Sequence, residues 1–263
     1  MFGFRKRPKS IEITGFDDEP PQLFTALLCD GFVVRNVPDF AAWIALLRTL
    51  QRDHPDVRVL GSLDDVHQSA YTSGHAIETH DLDRIEGLAE PDDYRGYLLR
   101  RDQFPIRLAN LLARARGVTF ASLAGLLPWS TPGDANDPIT INADPDAALG
   151  WRHEKLFLAQ RVPVATAAET VAAWPNGYFV GDLNPMQNLA LAQHLDTEFG
   201  LKLCAIGAGR LAFVSDTPLD ARTAAQAATD IVSLYADGPS DAADRLAAWL
   251  GAHDTLLIRY TES

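Results

Sequence analysis

The chain has 263 residues, 47% hydrophobic, 22% charged and 9% aromatic, with 35 acids against 23 Lys plus Arg and a formal net charge of −12. These proportions belong to a folded globular protein and exclude global disorder, a collagen-like repeat and a disulfide-stapled miniprotein. Both halves are acidic, with 15 bases against 22 acids in residues 1–150 and 8 against 13 in residues 151–263, so no nucleic-acid partner is expected, because phosphate binding needs clustered Lys and Arg.

At the start of the chain, Arg5, Lys6, Arg7 and Lys9 form a short basic cluster, read as a solvated end rather than a nucleic-acid arm. The same stretch lacks the apolar core of a secretory signal, and the sequence has no apolar run of about 18 residues to span a membrane. Cys29 and Cys204 both lie in apolar runs without an adjacent cation. They read as buried small hydrophobes, not as catalytic thiolates or a disulfide framework, and point to the cytoplasm. Arg outnumbers Lys 19 to four, a bias that hints at a GC-rich bacterial genome.

Taken in chain order, Pro20 and Pro21 before Gln22, Leu23 and Phe24 predict a helix start, with Gly31 as its stop. Phe32, Val33 and Val34 predict a short strand. Pro38 and Asp39 open a second helix whose Phe40, Trp43, Ile44, Leu47 and Leu50 recur at three and four, one buried stripe. Residues 57–60 predict another strand, and 91–116 one or two helices interrupted at Pro105. Residues 128–145 are rich in Pro, Asp and Asn and suggest a linker or long loop.

Further along, residues 155–162, 177–180, 201–206, 211–214 and 255–260 predict strands, and residues 166–174, 185–199, 220–236 and 241–251 predict helices. The fold class is therefore α+β (mixed α/β): a helix-rich N-terminal half with short strands, and a C-terminal half with a mixed or largely antiparallel sheet flanked by helices. The expected division is an N-terminal domain or subdomain over 1–130, a polar linker over 131–150 and a C-terminal domain over 151–263.

Residues 174–214 carry the most information. Asn184 suits an N-cap, Pro185 the first helical position and Gly200 a left-handed stop, while Leu191, Leu195 and Phe199 form a core stripe. Asp182, Asn184, Gln187 and Asn188 cluster at this strand–turn–helix corner. The functional reading makes them the mouth of a ligand pocket at a helix start. The structural reading, which is preferred, has them build the turn and its cap. His194 and Glu198 read as a solvated i,i+4 pair.

Gly207-Ala208-Gly209-Arg210-Leu211-Ala212 matches the dinucleotide-binding fingerprint. That mechanism needs a helix to begin there, whereas Ala212, Phe213 and Val214 read as strand and Pro218 follows. A glycine turn between antiparallel strands is preferred, with Arg210 left to face a ligand or partner.

His67, His75 and His80 lie among Glu78, Asp81 and Asp83, and Ser73-Gly74 suggests a loop there. The offset of five between His75 and His80 lets them converge on a metal only from such a loop. Asp134, Asn136, Asp137, Asn142, Asp144 and Asp146 offer oxygen ligands, but Pro138 breaks calcium-loop spacing. Trp151, His153 and Glu154 mark either a site mouth or plain packing before a strand. No cofactor or metal is expected, and the serine-elbow and P-loop motifs are absent.

Two functions follow. The first is a non-catalytic protein-interaction module whose acidic surface meets a basic protein partner, compatible with an inhibitor or immunity protein. The alternative is an enzyme of unassigned chemistry, with Asp182, Asn184, Gln187, His153 and Arg210 as its candidate catalytic residues.

Overall fold

The computed structural model describes residues 10–85, 94, 96–129, 137–151 and 156–261. The chain first forms strands β1 (Glu12–Gly15) and β2 (Asp30–Arg35), helix α1 (Phe40–Asp53), strand β3 (Arg58–Ser62) and helix α2 (Val66–Thr79). Helix α3 (Phe104–Arg114), strand β4 (Leu127–Pro128) and the single-turn helices α4 (Thr140–Ala143) and α5 (Pro145–Ala148) follow. The rest comprises β5 (Leu156–Val162), α6 (Pro185–Phe199), β6 (Lys202–Ile206), β7 (Arg210–Val214), α7 (Ala221–Ser233), β8 (Tyr235–Ala236), α8 (Ala242–Leu250) and β9 (Thr255–Arg259). The class is α+β, as the element pattern of the sequence indicates. Among the described residues, no helix is long and apolar enough to cross a membrane.

One seven-stranded sheet runs in the order β1-β2-β5-β3-β6-β7-β9, and β4 pairs with β8 in a small second sheet. All neighbours in the large sheet are antiparallel except β3 and β6, which share the Cα pairs Gly61↔Ala205 and Ser62↔Ile206. Strand β5 lies between β2 and β3, so strands from both sides of residues 131–150 interleave in one sheet. Both faces of β5 are covered, which is why its buried run from Phe157 to Gln160 shows no apolar–polar alternation.

Helix α1 covers one face. Asp39 accepts the Ala42 N–H as its cap, and Phe40, Trp43, Ile44, Leu47 and Leu50 are all buried, as their spacing predicts. Trp43 also donates its indole N–H to the Ser62 carbonyl at 2.8 Å. The opposite face packs against α2, α3, α6, α7 and α8.

Residues 137–151 dock onto the sheet. Asn142 mimics a neighbouring strand at the β9 edge, accepting the Leu257 N–H at 2.7 Å and donating to the Leu257 carbonyl at 2.8 Å. Asp144 caps α5, Asp137 accepts the Ile139 and Thr140 N–H groups at the start of α4, and Asp146 accepts the Phe40 N–H at 2.7 Å. These acids are thus engaged in ending helices; Asp134 and Asn136 lie outside the described residues.

Four local expectations are corrected. The helix predicted to end at Gly31 does not form. Gly31 instead lies within β2, where a Cβ would come within 2.3 Å of the Ala159 carbonyl oxygen, so glycine serves a close strand approach and not a helix stop. Residues 177–180 are a turn rather than a strand. Gly177 has φ +96°, and a Cβ there would overlap the Leu183 carbonyl. Ser73 and Gly74 lie inside α2 and not in a loop; Asp65 caps that helix, and its buried face mixes Val66, Ala70, Ala76 and Ile77 with Ser69, Thr72 and Ser73. Pro105 opens α3 and does not interrupt it, occupying the first turn where its missing N–H has no partner to lose.

A buried ion pair secures α3. Arg107 and Asp83, both almost inaccessible to solvent, meet through Nε–Oδ1 at 2.6 Å and a second bond at 2.9 Å, and Asp83 also accepts the Leu98 N–H. Arg107→Met leaves that carboxylate without its cation and is expected to destabilise the fold by about 3–5 kcal/mol. Urea unfolding checks this, and the double variant with Asp83→Leu should recover part of the loss.

Candidate functional site

Strand directions bring three chain ends together. Strands β3 and β6 are parallel, and β9 is parallel to β6 through β7, so all three finish at one edge of the sheet. There Leu63 and Asp64 lead into α2, Gly207 to Gly209 form the β6–β7 turn, and Tyr260 follows β9. The corner before α6 joins them, the Leu183 N–H donating to the Tyr260 carbonyl at 2.8 Å. In open α/β sheets ligands gather at such an edge.

The glycine turn joins antiparallel strands, the geometry that the strand pattern of residues 211–214 indicates. Its N–H groups do face an anion, and that anion is internal. Asp64 accepts the Ala208 N–H at 2.7 Å and also the Gly209 N–H. A Cβ on Gly207 would lie 2.4 Å from the Asp64 carboxylate, so only glycine admits this contact. The Tyr260 hydroxyl donates to the turn from the other side, 2.7 Å from the Gly207 carbonyl and 2.8 Å from that of Ala208.

The electrostatics follow from this packing. Burial raises the Asp64 pKa above the ordinary carboxylate value, opposed by the turn N–H groups and by Arg210. Burial lowers the Arg210 pKa, with Asp64 opposing. Burial also raises the Tyr260 phenol, reinforced by Asp64 and Asp182. Asp182 and Arg210 therefore reach the same edge, together with Asp64 and Tyr260.

The other expected residues are placed differently. Asn184 and Gln187 are bonded to each other in a capping box: the Gln187 N–H donates to Asn184 Oδ1 at 3.0 Å, and the Asn184 N–H to Gln187 Oε1 at 2.8 Å. Asp182 accepts the Phe179 N–H at 3.3 Å and so helps close the 179–182 turn. Asn188 is buried and donates to the carbonyls of Asn176 and Leu183. His153 lies outside the described residues. His194 pairs with Asp230 at 2.7 Å and stacks on Phe120, so it is held between helices and not by Glu198.

Candidates for covalent or metal chemistry are few. Burial pushes both cysteine thiols up to about 12, which suits packing rather than nucleophilic attack. His75 and His80 are on α2 and at its C-cap, and among the described residues no three His, Cys, Asp or Glu side chains are grouped to hold a metal ion.

Beside this edge lies a feature that sequence reading missed. Aromatic rings touch in series, Phe24–Tyr71 at 5.0 Å, Tyr71–His75 at 4.5 Å, His75–Tyr178 at 5.1 Å and Tyr178–Phe179 at 4.3 Å. Much of this surface is open to solvent, with Phe24 63%, Tyr71 44%, Phe179 52% and the adjoining Val180 fully exposed. Glu78, itself exposed, lies 4.0 Å from His75, and Asp182 bonds Phe179. The patch joins three segments, the 20–29 stretch, α2 and the 177–180 turn, none of which was correctly predicted.

Comparison with protein families, curated proteins and solved structures finds no significant match.

Asp64→Ala leaves the turn N–H groups without an acceptor and is expected to cost about 1–3 kcal/mol. The pH dependence has a definite sign. Because the folded Asp64 pKa lies above the usual 3.8, the folded chain takes up this proton before the unfolded chain does. Its contribution therefore grows as pH falls towards that value and is lost as pH rises above the folded pKa. The stability of the native chain relative to Asp64→Asn should increase on acidification from neutral pH, as read by urea midpoints at a series of pH values.

Proposed function

We propose that this chain is a non-catalytic protein-interaction module that docks a basic, partly apolar segment of another protein onto the Phe24–Tyr71–His75–Tyr178–Phe179 patch. The observation that carries this reading is the run of touching, solvent-open rings. Exposed contiguous aromatics are unfavourable in water unless they are covered by a partner, and Tyr supplies contact area at low entropic cost. Their faces attract Arg and Lys. The carboxylates of Glu78 and Asp182 at the rim, and a net charge of −12, steer the same cationic partner. The two unpaired, buried cysteines support a reducing, cytoplasmic setting.

A catalytic pocket at the corner is the second reading, favoured by the meeting of Asp182 and Arg210 with Asp64 and Tyr260. It draws less support, since Asn184 and Gln187 bond each other and the Tyr260 hydroxyl is directed at turn carbonyls.

Fluorescence anisotropy with a labelled octapeptide of alternating Arg and Leu, and its Glu-for-Arg counterpart, tests the docking reading. The cationic peptide should bind and the anionic one should not, with affinity falling as salt rises. The pair Tyr71→Ala and Phe179→Ser should weaken binding by about tenfold while leaving the thermal midpoint unchanged. Equal binding of both peptides, or binding indifferent to those substitutions, defeats the reading.

A further inference from the structure

At the end of the strands opposite Asp64, the sheet face under α1 holds a second feature. A cavity of about 650 Å³ opens between the last two turns of α1, the starts of β3 and β6 and the end of β7. Its volume lies in the range of small-molecule sites. The floor is apolar, formed by Ile44, Leu47, Val59, Cys204 and Val214. Cys204 is there because β6 carries an extra residue. Leu203 faces Phe213 and Ala205 faces Ala212, so Cys204 is skipped in the ladder; its thiol donates to the Ala212 carbonyl at 3.4 Å, and the residue lines the cavity. Such bulges re-aim side chains and are common beside binding sites.

The rim has the opposite charge to the protein as a whole. It carries Arg48, Arg52, Arg58 and Lys202 against Asp196 and Asp216, in a chain of net charge −12. Two of the cations are neutralised locally, Arg48 by Asp254 at 2.8 Å and Lys202 by Asp216 at 3.6 Å. The other two have neutral partners among the described residues: Arg58 donates to the Ala165 carbonyl and Arg52 to the Thr49 hydroxyl. Concentrating cations above an apolar floor, in a chain of net negative charge, favours an amphipathic anion over either a neutral or a cationic ligand.

We propose that this cavity is a binding site for a small organic anion with an apolar body, its oxyanion head held by Arg52 and Arg58 and its body on the Leu47–Val59–Cys204 floor. The site is separate from the aromatic patch and independent of the docking reading.

The probe is 8-anilinonaphthalene-1-sulfonate, a fluorescent aromatic anion, titrated into the native chain and then displaced. Saturable fluorescence enhancement is expected. Decanoate and decyl phosphate should both compete, their relative strength showing whether a carboxylate or a phosphate head is preferred, and decyltrimethylammonium, with the same tail and opposite charge, should not. Arg52→Glu should weaken probe binding by about tenfold or more, and Arg52→Lys should retain most of it. Because Arg52 is exposed and its hydrogen bond among the described residues is to the Thr49 hydroxyl, these variants should keep the native circular dichroism and urea midpoint. Phe179→Ser serves as the control for probe bound at the aromatic patch and should leave the displaceable signal intact. Absence of saturable binding, equal competition by the cationic tail, native affinity in Arg52→Glu, or loss of the signal in Phe179→Ser would each overturn the proposal.

Discussion

The sheet is held together across its middle by one short parallel ladder, and Asp64 extends it. Strands β1, β2, β5 and β3 on one side and β6, β7 and β9 on the other meet only through β3 and β6, at Gly61↔Ala205 and Ser62↔Ile206. Immediately beyond that pairing, the Asp64 carboxylate reaches across to the N–H groups of the 207–209 turn. A charge-assisted bond here takes the place of further ladder pairs. Tyr260 and Leu183 then fasten β9 and the start of α6 to the same turn. Four segments distant in sequence thereby share one anchor, and the aromatic patch beside it inherits their fixed positions.

A second polar network places that patch. Trp174 donates to the Ser69 hydroxyl at 2.6 Å, Asn176 donates to Ser69 and accepts from Thr72, and Asn188 donates to Asn176. These bonds hold α2 against the 174–184 segment alongside the apolar packing of Val66, Ala70 and Ile77. Buried and directional, they fix orientation as well as contact. Tyr71 and His75 on α2 and Tyr178 and Phe179 on the turn are set side by side as a result. The two ends of the sheet have contrasting surface chemistry, aromatic with acidic neighbours beyond the β3 and β6 C-termini and cationic over an apolar floor at their N-termini.

What was readable in the sequence was local. The boundaries of α6 agree with expectation because Asn184, Pro185, Gln187 and Gly200 act within a few residues of where they stand. The same holds for α1, whose cap at Asp39 and stripe from Phe40 to Leu50 lie within one helix. The candidate site was only partly legible. Asp182 and Arg210 do approach a common edge, but the groups that join them, Asp64 and Tyr260, come from the ends of strands far away in the chain. The aromatic patch was missed because Phe24 lies in a stretch that reads as helix, Tyr178 and Phe179 in one that reads as strand, and Tyr71 and His75 in one that reads as loop.

The sequence by itself determined the α+β class, the termini of the helices with strong caps, the β6–β7 hairpin and the buried character of both cysteines, since each depends on spacing, capping or turn chemistry within about one turn of helix or one hairpin. Only the tertiary structure decided that β5 inserts between β2 and β3, that α2 is a helix with buried hydroxyls on its inner face, that Gly31 and Gly207 are glycines for close approach, and that the anion on the 207–209 turn is Asp64. The physical reason is the same in each case. A buried hydroxyl, a missing Cβ or an inward carboxylate is favourable only beside a particular partner, and those partners stand up to 144 residues away, as Asp64 does from Ala208.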